Sequence, residues 1–241
     1  MQKTQTKPKV LLLNPPGKEA YLRDYYCNNI SKSSYLHYPM DLLYMTGRLS
    51  EGGSYEVSVL DAMVKRHTTR KTLKTISETR PDFLIVLVGS ISWDEDRNFL
   101  QKVKEQNPDI KIIGTGDVFL DEGEKFIKEN NFFDGCVLDF SDNSILNIIE
   151  KLSKTGKDPI DNCIYKNNGS GPIAGKVNRL KGEFSIPMPR HEYFPLKEYR
   201  YAFSRDFPTA HIMTDFGCAF NCSFCPIRID NLGFKVDLWM K

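Results

Sequence analysis

Three cysteines stand at C-x3-C-x2-C spacing in Gly217-Cys218-Ala219-Phe220-Asn221-Cys222-Ser223-Phe224-Cys225-Pro226. Three thiolates on one short loop can hold three irons of a [4Fe–4S] cluster and leave the fourth iron without a protein ligand. An open metal position is where a substrate can bind and react, as in catalytic zinc sites. Two other readings stay open. A structural zinc site would need a fourth ligand, and only His211 and Cys163 offer themselves, neither at finger-like spacing. Unligated thiols are the other.

Such a loop must be positioned by ordered structure, and the N-terminal part of the chain reads as alternating strands and helices. Lys9 to Asn14 is a short apolar run stopped by Pro15-Pro16, as a buried strand would be. A long loop to about Tyr38 follows. Pro39 to Glu51 reads as a helix with Pro39 at its first turn and Gly52-Gly53 at its end. Glu56 to Leu60 alternates as a strand ending at Asp61, and Thr68 to Thr79 is a polar helix with Leu73 and Ile76 on one face. Phe83 to Gly89 is apolar on both faces, which predicts a central strand of a parallel sheet. The reading continues with a helix over 94–106, a strand over 110–114, a helix over 122–130 and a strand over 135–139. Ile145, Ile148, Ile149 and Leu152 recur at helical spacing.

This alternation predicts an α/β fold with a flavodoxin-like, doubly wound, five-stranded parallel sheet over residues 1–152. Ligands of such sheets sit at the carboxyl ends of the strands. That edge offers Asn14, Pro15 and Pro16; Asp61 and Ala62; Gly89 to Ser92, including Ser90 and Ser92; Gly114 to Gly116; and Asp139 to Ser141. Ordinary βα-loop chemistry explains the same residues, because Gly, Ser and Asp belong in such loops. Gly114-Thr115-Gly116 is not a dinucleotide fingerprint, since Phe119 stands where the third glycine would be. Residues 153–208 read as a linker. In it, Ile164 to Lys166 and Lys176 to Leu180 flank a Gly/Asn-rich turn, which predicts a hairpin. Ala210 to Thr214 reads as a strand leading into the cysteine loop, opening a third region over 209–241.

The bulk composition narrows the partners. The chain has 241 residues, 40% hydrophobic and 27% charged, with a net charge of +2. That balance gives no reason to expect nucleic acid or an anionic membrane. No apolar run is long enough to span a bilayer, and the start lacks the apolar core of a signal peptide. The expectation is a cytoplasmic protein in which Cys27, Cys136 and Cys163 are reduced thiols.

The cysteine loop resembles the cluster-binding motif of the radical S-adenosylmethionine (SAM) superfamily, with Phe224 matching the aromatic residue usual before the last cysteine. The resemblance implies that Cys218, Cys222 and Cys225 bind a [4Fe–4S] cluster whose free iron chelates SAM. An electron from the cluster, supplied by a donor such as flavodoxin or ferredoxin, then cleaves the sulfonium to give a 5′-deoxyadenosyl radical. An α/β domain opening with Leu-Leu-Asn-Pro-Pro ahead of such a loop is similar to the cobalamin-binding radical SAM enzymes. Pro39-Met40-Asp41-Leu42-Leu43, Gly89-Ser90-Ile91-Ser92 and Thr214-Asp215-Phe216-Gly217 are further landmarks. This implies cobalamin over the strand ends, with Asn14, Pro15, Ser90, Ser92, Gly114 and Gly116 as candidate contacts and Phe224 on the cluster side. No Asp-x-His-x-x-Gly motif occurs, so no histidine is expected to ligate cobalt. The family's acidic glycine-rich turn after the fifth strand is replaced by Phe140-Ser141-Asp142-Asn143-Ser144.

The chain ends at Lys241, soon after Cys225, where the superfamily's β/α barrel needs several more strand–helix units. The expectation is a truncated member with the first barrel strand alone, open to completion by a second polypeptide. Three functions follow as alternatives: a radical SAM enzyme performing methylation or rearrangement; a cobalamin- or cluster-binding module without turnover; and a nucleotide-binding α/β protein with a zinc loop. SAM cleavage separates the first two, and metal content separates the third.

Overall fold

The computed structural model describes residues 7–24, 28–33, 35–120, 122–154, 157–167, 170–177, 186–201 and 204–212. Its centre is a seven-stranded sheet. Strands β1 (Lys9–Asn14), β4 (Glu56–Asp61), β5 (Phe83–Leu87), β6 (Lys111–Thr115) and β7 (Gly135–Val137) are mutually parallel in the order β4-β1-β5-β6-β7. Strands β8 (Cys163–Asn167) and β9 (Ser170–Ala174) extend the β7 edge antiparallel. The strand positions and the parallel pairing agree with the sequence reading. The sheet is nevertheless mixed, because the hairpin of the linker is hydrogen-bonded to β7 instead of standing apart. Its second arm is 170–174, not the 176–180 stretch expected, of which 178–180 lie outside the described residues.

Helices cover both faces. Residues of β1 alternate between two cores, Val10 and Leu12 into one, Leu11 and Leu13 into the other. The first core lies under α1 (Met40–Ser50) and α5 (Ser144–Ser153), where Leu42, Leu43, Met45, Ile145, Ile148 and Ile149 are buried. The second lies under α2 (Thr69–Thr79), α3 (Trp93–Gln106) and α4 (Gly123–Glu129). Leu73 and Ile76 of α2, with Phe99, Leu100 and Val103 of α3, form its helical side. Each face thus buries one stripe per helix, as the 3.6-residue period of the sequence requires. Thr68 caps α2 by accepting the Lys71 N–H at 3.2 Å.

Two segments read as irregular are built into the molecule. The loop after β1 contains a short antiparallel hairpin, β2 (Tyr21–Arg23) with β3 (Asn28–Ile30). Beyond β9, residues 186–201 return to α1 and bury Phe194 and Tyr199 in the first core. Residues 210–212 are not a strand, and the remainder of that expected element lies outside the described residues. Among the described residues, no helix is long and apolar enough to cross a membrane.

Candidate functional site at the carboxyl edge of the sheet

The two prolines after Asn14 end β1, since proline cannot donate to a ladder. Asn14 then faces two ways. Its Nδ2 donates to Asp61 Oδ1 at 3.0 Å, and its Oδ1 accepts from Arg23 Nη1 at 3.1 Å. Arg23, from β2, has no exposed side-chain surface. Its Nη1 also donates to the Pro15 carbonyl at 3.1 Å, and its Nη2 to Asp96 Oδ1 at 2.8 Å. Its Nε lies 2.9 Å from Ser92 Oγ and 3.0 Å from Asp96 Oδ2. Ser92 in turn donates to Asp96 Oδ2 at 2.6 Å. Asp61 accepts the Val64 N–H at 3.0 Å and the Tyr199 hydroxyl at 2.8 Å. Burial raises the affinity of Asp61 for a proton, against the hydrogen bonds from Val64, Tyr199 and Asn14 and the charge of Arg23.

The sequence-predicted edge residues therefore divide. Asn14, Pro15 and Ser92 come together around Arg23. Ser90 is exposed, its Oγ donating to Asp117 Oδ2 at 2.6 Å and its N–H to Asp117 Oδ1 at 2.9 Å. Beside it Ile91 is 47% exposed. Gly116 has φ +126°, and a Cβ there would lie 1.9 Å from the Val88 carbonyl oxygen, so the backbone itself demands glycine. A Cβ on Gly114 would lie 2.3 Å from the Phe119 ring. Both glycines let the protein approach itself. A cavity of about 780 Å³ opens nearby between Pro16–Ala20 and Ala62–Thr69, with Lys18, Lys32 and Arg66 in its wall. Its volume is within the range of small-molecule sites. None of Asn14, Pro15, Ser90, Ser92, Gly114 and Gly116 lines it.

A knot of aromatic and titratable groups covers the ends of β1 and β4. Tyr38 stacks on Tyr199 with ring centroids 4.2 Å apart and donates to the Thr209 carbonyl at 3.0 Å. His37 gives Nδ1 to the Tyr38 carbonyl at 3.0 Å and holds Nε2 3.3 Å from Asp24 Oδ2. Burial pushes the Asp24 carboxyl up to about 6, opposed by His37 and the Met40 N–H. The Tyr201 hydroxyl and His211 Nδ1 share a hydrogen bond of 3.0 Å. Burial, with His37 and His191 nearby, brings His211 down to about 4. His191 Nε2 reaches the His211 carbonyl at 2.9 Å. Among the described residues no group of three or more His, Cys, Asp or Glu could hold a metal ion, this knot included.

Cys218, Cys222, Cys225 and Phe224 lie outside the described residues. The two residues named as candidate fourth ligands for zinc both lie among the described residues. Cys163 is fully buried in β8 with its thiol pushed upward by desolvation, and His211 Nδ1 faces the Tyr201 hydroxyl. Arg23, Asp24, Asp96, Asp117 and Tyr199 were not singled out from sequence. Arg23 and Asp24 sit in a segment without periodicity, and Tyr199 in a proline-set linker. Asp96 and Asp117 look like ordinary acids at a helix start and a βα turn.

No protein-family model matches this chain, and no curated protein sequence does. Solved structures are similar. One is the cobalamin-dependent SAM radical enzyme OxsB with aqua-cobalamin and SAM bound, at TM-score 0.58 and 15% identity over 76% of this chain. Another is the radical SAM methyltransferase TsrM from Kitasatospora setae with cobalamin and a [4Fe–4S] cluster bound, at TM-score 0.54 and 18% identity over 83% of this chain. The chain spans 24% of the first and 36% of the second. The likeness is one of fold: an α/β architecture on a mixed, largely parallel sheet.

Proposed function

We propose that this chain carries a [4Fe–4S] cluster on Cys218, Cys222 and Cys225 and binds cobalamin at the carboxyl edge of its sheet, as part of a radical SAM protein. The observation that carries the proposal is the path of the chain. Tyr199 is bonded to Asp61, and Thr209 to Tyr38, so the chain is held at the strand ends at these two points ahead of Cys218. Fully extended, the stretch from Thr209 to Cys218 reaches at most about 30 Å. That reach is compatible with a cysteine loop lying near the edge. The likeness in fold to OxsB and TsrM supports the same reading.

The edge suits a broad apolar ring fringed with amides over β5 and β6. Ile91 offers exposed apolar surface, and Ser90 and Asp117 offer polar partners. Over β1 the edge is filled by Arg23, so Asn14, Pro15 and Ser92 would act through that side chain. The three thiolates suit a cluster with one open iron, while the described cysteines Cys136 and Cys163 are buried thiols raised by desolvation. Bound together, the groups would supply one-electron reduction and cobalt-centred methyl chemistry for methylation or rearrangement of a carbon centre. The reductant, a flavodoxin or ferredoxin in the sequence reading, would approach from solvent.

Anaerobic reconstitution tests the proposal. Iron and sulfide should each reach about four per chain, the content of this cluster type. Cys222→Ala should abolish both, and Cys163→Ala should not. Gel filtration after incubation with hydroxocobalamin should retain the corrin spectrum. Stoichiometric zinc without iron, or loss of all corrin on the column, would remove the corresponding half. Release of 5′-deoxyadenosine from SAM with dithionite separates an enzyme from a cofactor-binding module.

A further inference from the structure

In an open α/β sheet the chain winds outward in two directions from one central strand, and ligands enter the crevice where the order reverses. Here the order β4-β1-β5 puts that crevice between the ends of β1 and β5. The guanidinium of Arg23 fills it. It is bonded on one side to Asn14, Pro15 and Pro16, which follow β1, and on the other to Ser92 and Asp96, which follow β5. All three guanidinium nitrogens have partners, and the fork to Asp96 is bidentate, the geometry for which arginine is best suited.

The bonds do not stop at the crevice. Asp96, Arg23, Asn14, Asp61 and Tyr199 form one buried chain, with links of 2.8, 3.1, 3.0 and 2.8 Å. It runs from the first turn of α3, across β1 and β4, to the segment that leads on to the cysteines. Water is excluded from these groups, and a buried polar group left unpaired is costly, so the displacement of one member is felt by the next. We infer that Arg23 is a built-in occupant of the switch-point crevice and the positioning residue for the segment around Tyr199–Tyr201 and Thr209–His211. A ligand seeking the crevice with a cationic group finds it taken, and the state of the β2–β3 hairpin is linked to the placement of the segment leading to Cys218. The inference is independent of which cofactors the chain carries, since its readout is backbone exchange.

Hydrogen–deuterium exchange on the full chain tests it. Arg23→Met should speed exchange at Tyr199–Tyr201 and Thr209–His211 by about tenfold, the scale of a coupling passed through one network. β5 and β6 should keep their protection. Millimolar guanidinium should slow the segment again by refilling the crevice. An arginine that only supports its own surroundings would loosen residues near 14–16 and 92–96 and leave the segment unchanged, and that result overturns the inference. Coupling is reciprocal. Tyr199→Phe, which removes one hydroxyl from a folded core, should therefore speed exchange at Tyr21–Asp24. Should Arg23→Met fail to fold, this second variant decides alone: faster exchange at Tyr21–Asp24 supports the coupling, and unchanged exchange refutes it.

Discussion

Arg23 and Asp24 are neighbours in the chain, yet each belongs to a different set of bonds. Arg23 reaches into the sheet edge, and Asp24 faces His37 in the knot above it. The knot has a pH signature. Burial pushes the Asp24 carboxyl up to about 6 in the folded chain, from the ordinary 3.8 of an exposed aspartate. Its stabilising share is complete below the unfolded value and is lost as pH rises through about 6. His211 titrates the other way, near 4 against 6.5, so its share is present above 6.5 and is lost as pH falls through about 4. The two slopes oppose each other over the same interval. Asp24→Asn should make the urea midpoint climb more steeply with pH between 4 and 6.5. His211→Gln should flatten or reverse it. Parallel curves for the parent and both variants would show that neither group titrates as the geometry requires.

At the scale of elements, α1 shows how a helix can be shaped by what lies across it. Gly47 stands inside the helix, where glycine costs about 1 kcal/mol relative to alanine. The cost has a visible return. A Cβ on Gly47 would lie 2.5 Å from the Pro187 carbonyl oxygen and 2.7 Å from that of Met188. One position earlier, Thr46 Oγ1 accepts the Arg190 N–H at 2.9 Å. The opposing atoms are backbone and cannot rotate away. Gly47→Ala should therefore destabilise by roughly 1–3 kcal/mol despite its better helix propensity, as overpacking does. The loss should come with faster proteolysis around 186–190. A gain in stability would show that the linker yields freely.

For the whole molecule, the sheet and its covering extend past the boundary at 152 that the sequence suggests. β8 pairs along β7, and Phe194 and Tyr199 complete the core beside α1. Fully burying one large apolar side chain stabilises by about 1.5–3 kcal/mol. A chain ending at residue 152 leaves the β7 edge unpaired and opens that core. It should melt at lower temperature than the full chain and associate on sizing columns, while a chain ending at 201 should melt close to the full length. Equal melting of the 152-residue chain would mean that the hairpin and linker contribute nothing.

Periodicity, bounded by proline and glycine stops, determined the parallel strands and the helices between them, because burial on two faces demands continuous apolar strands and striped helices. Local spacing alone singled out Cys218, Cys222 and Cys225, since a thiolate set on one loop needs no tertiary partner to be recognisable. Tertiary structure decided what local patterns do not encode. The hairpin at 163–174 joined the sheet because the edge of β7 had unpaired backbone groups to satisfy. Asn14, Pro15 and Ser92 became partners of Arg23 because the β2–β3 hairpin folds across the switch point, a contact between segments with no shared period. Tyr199 reached Asp61 across most of the chain's length. Such long-range polar pairs depend on where two elements meet in space, and sequence alone gives no measure of that distance.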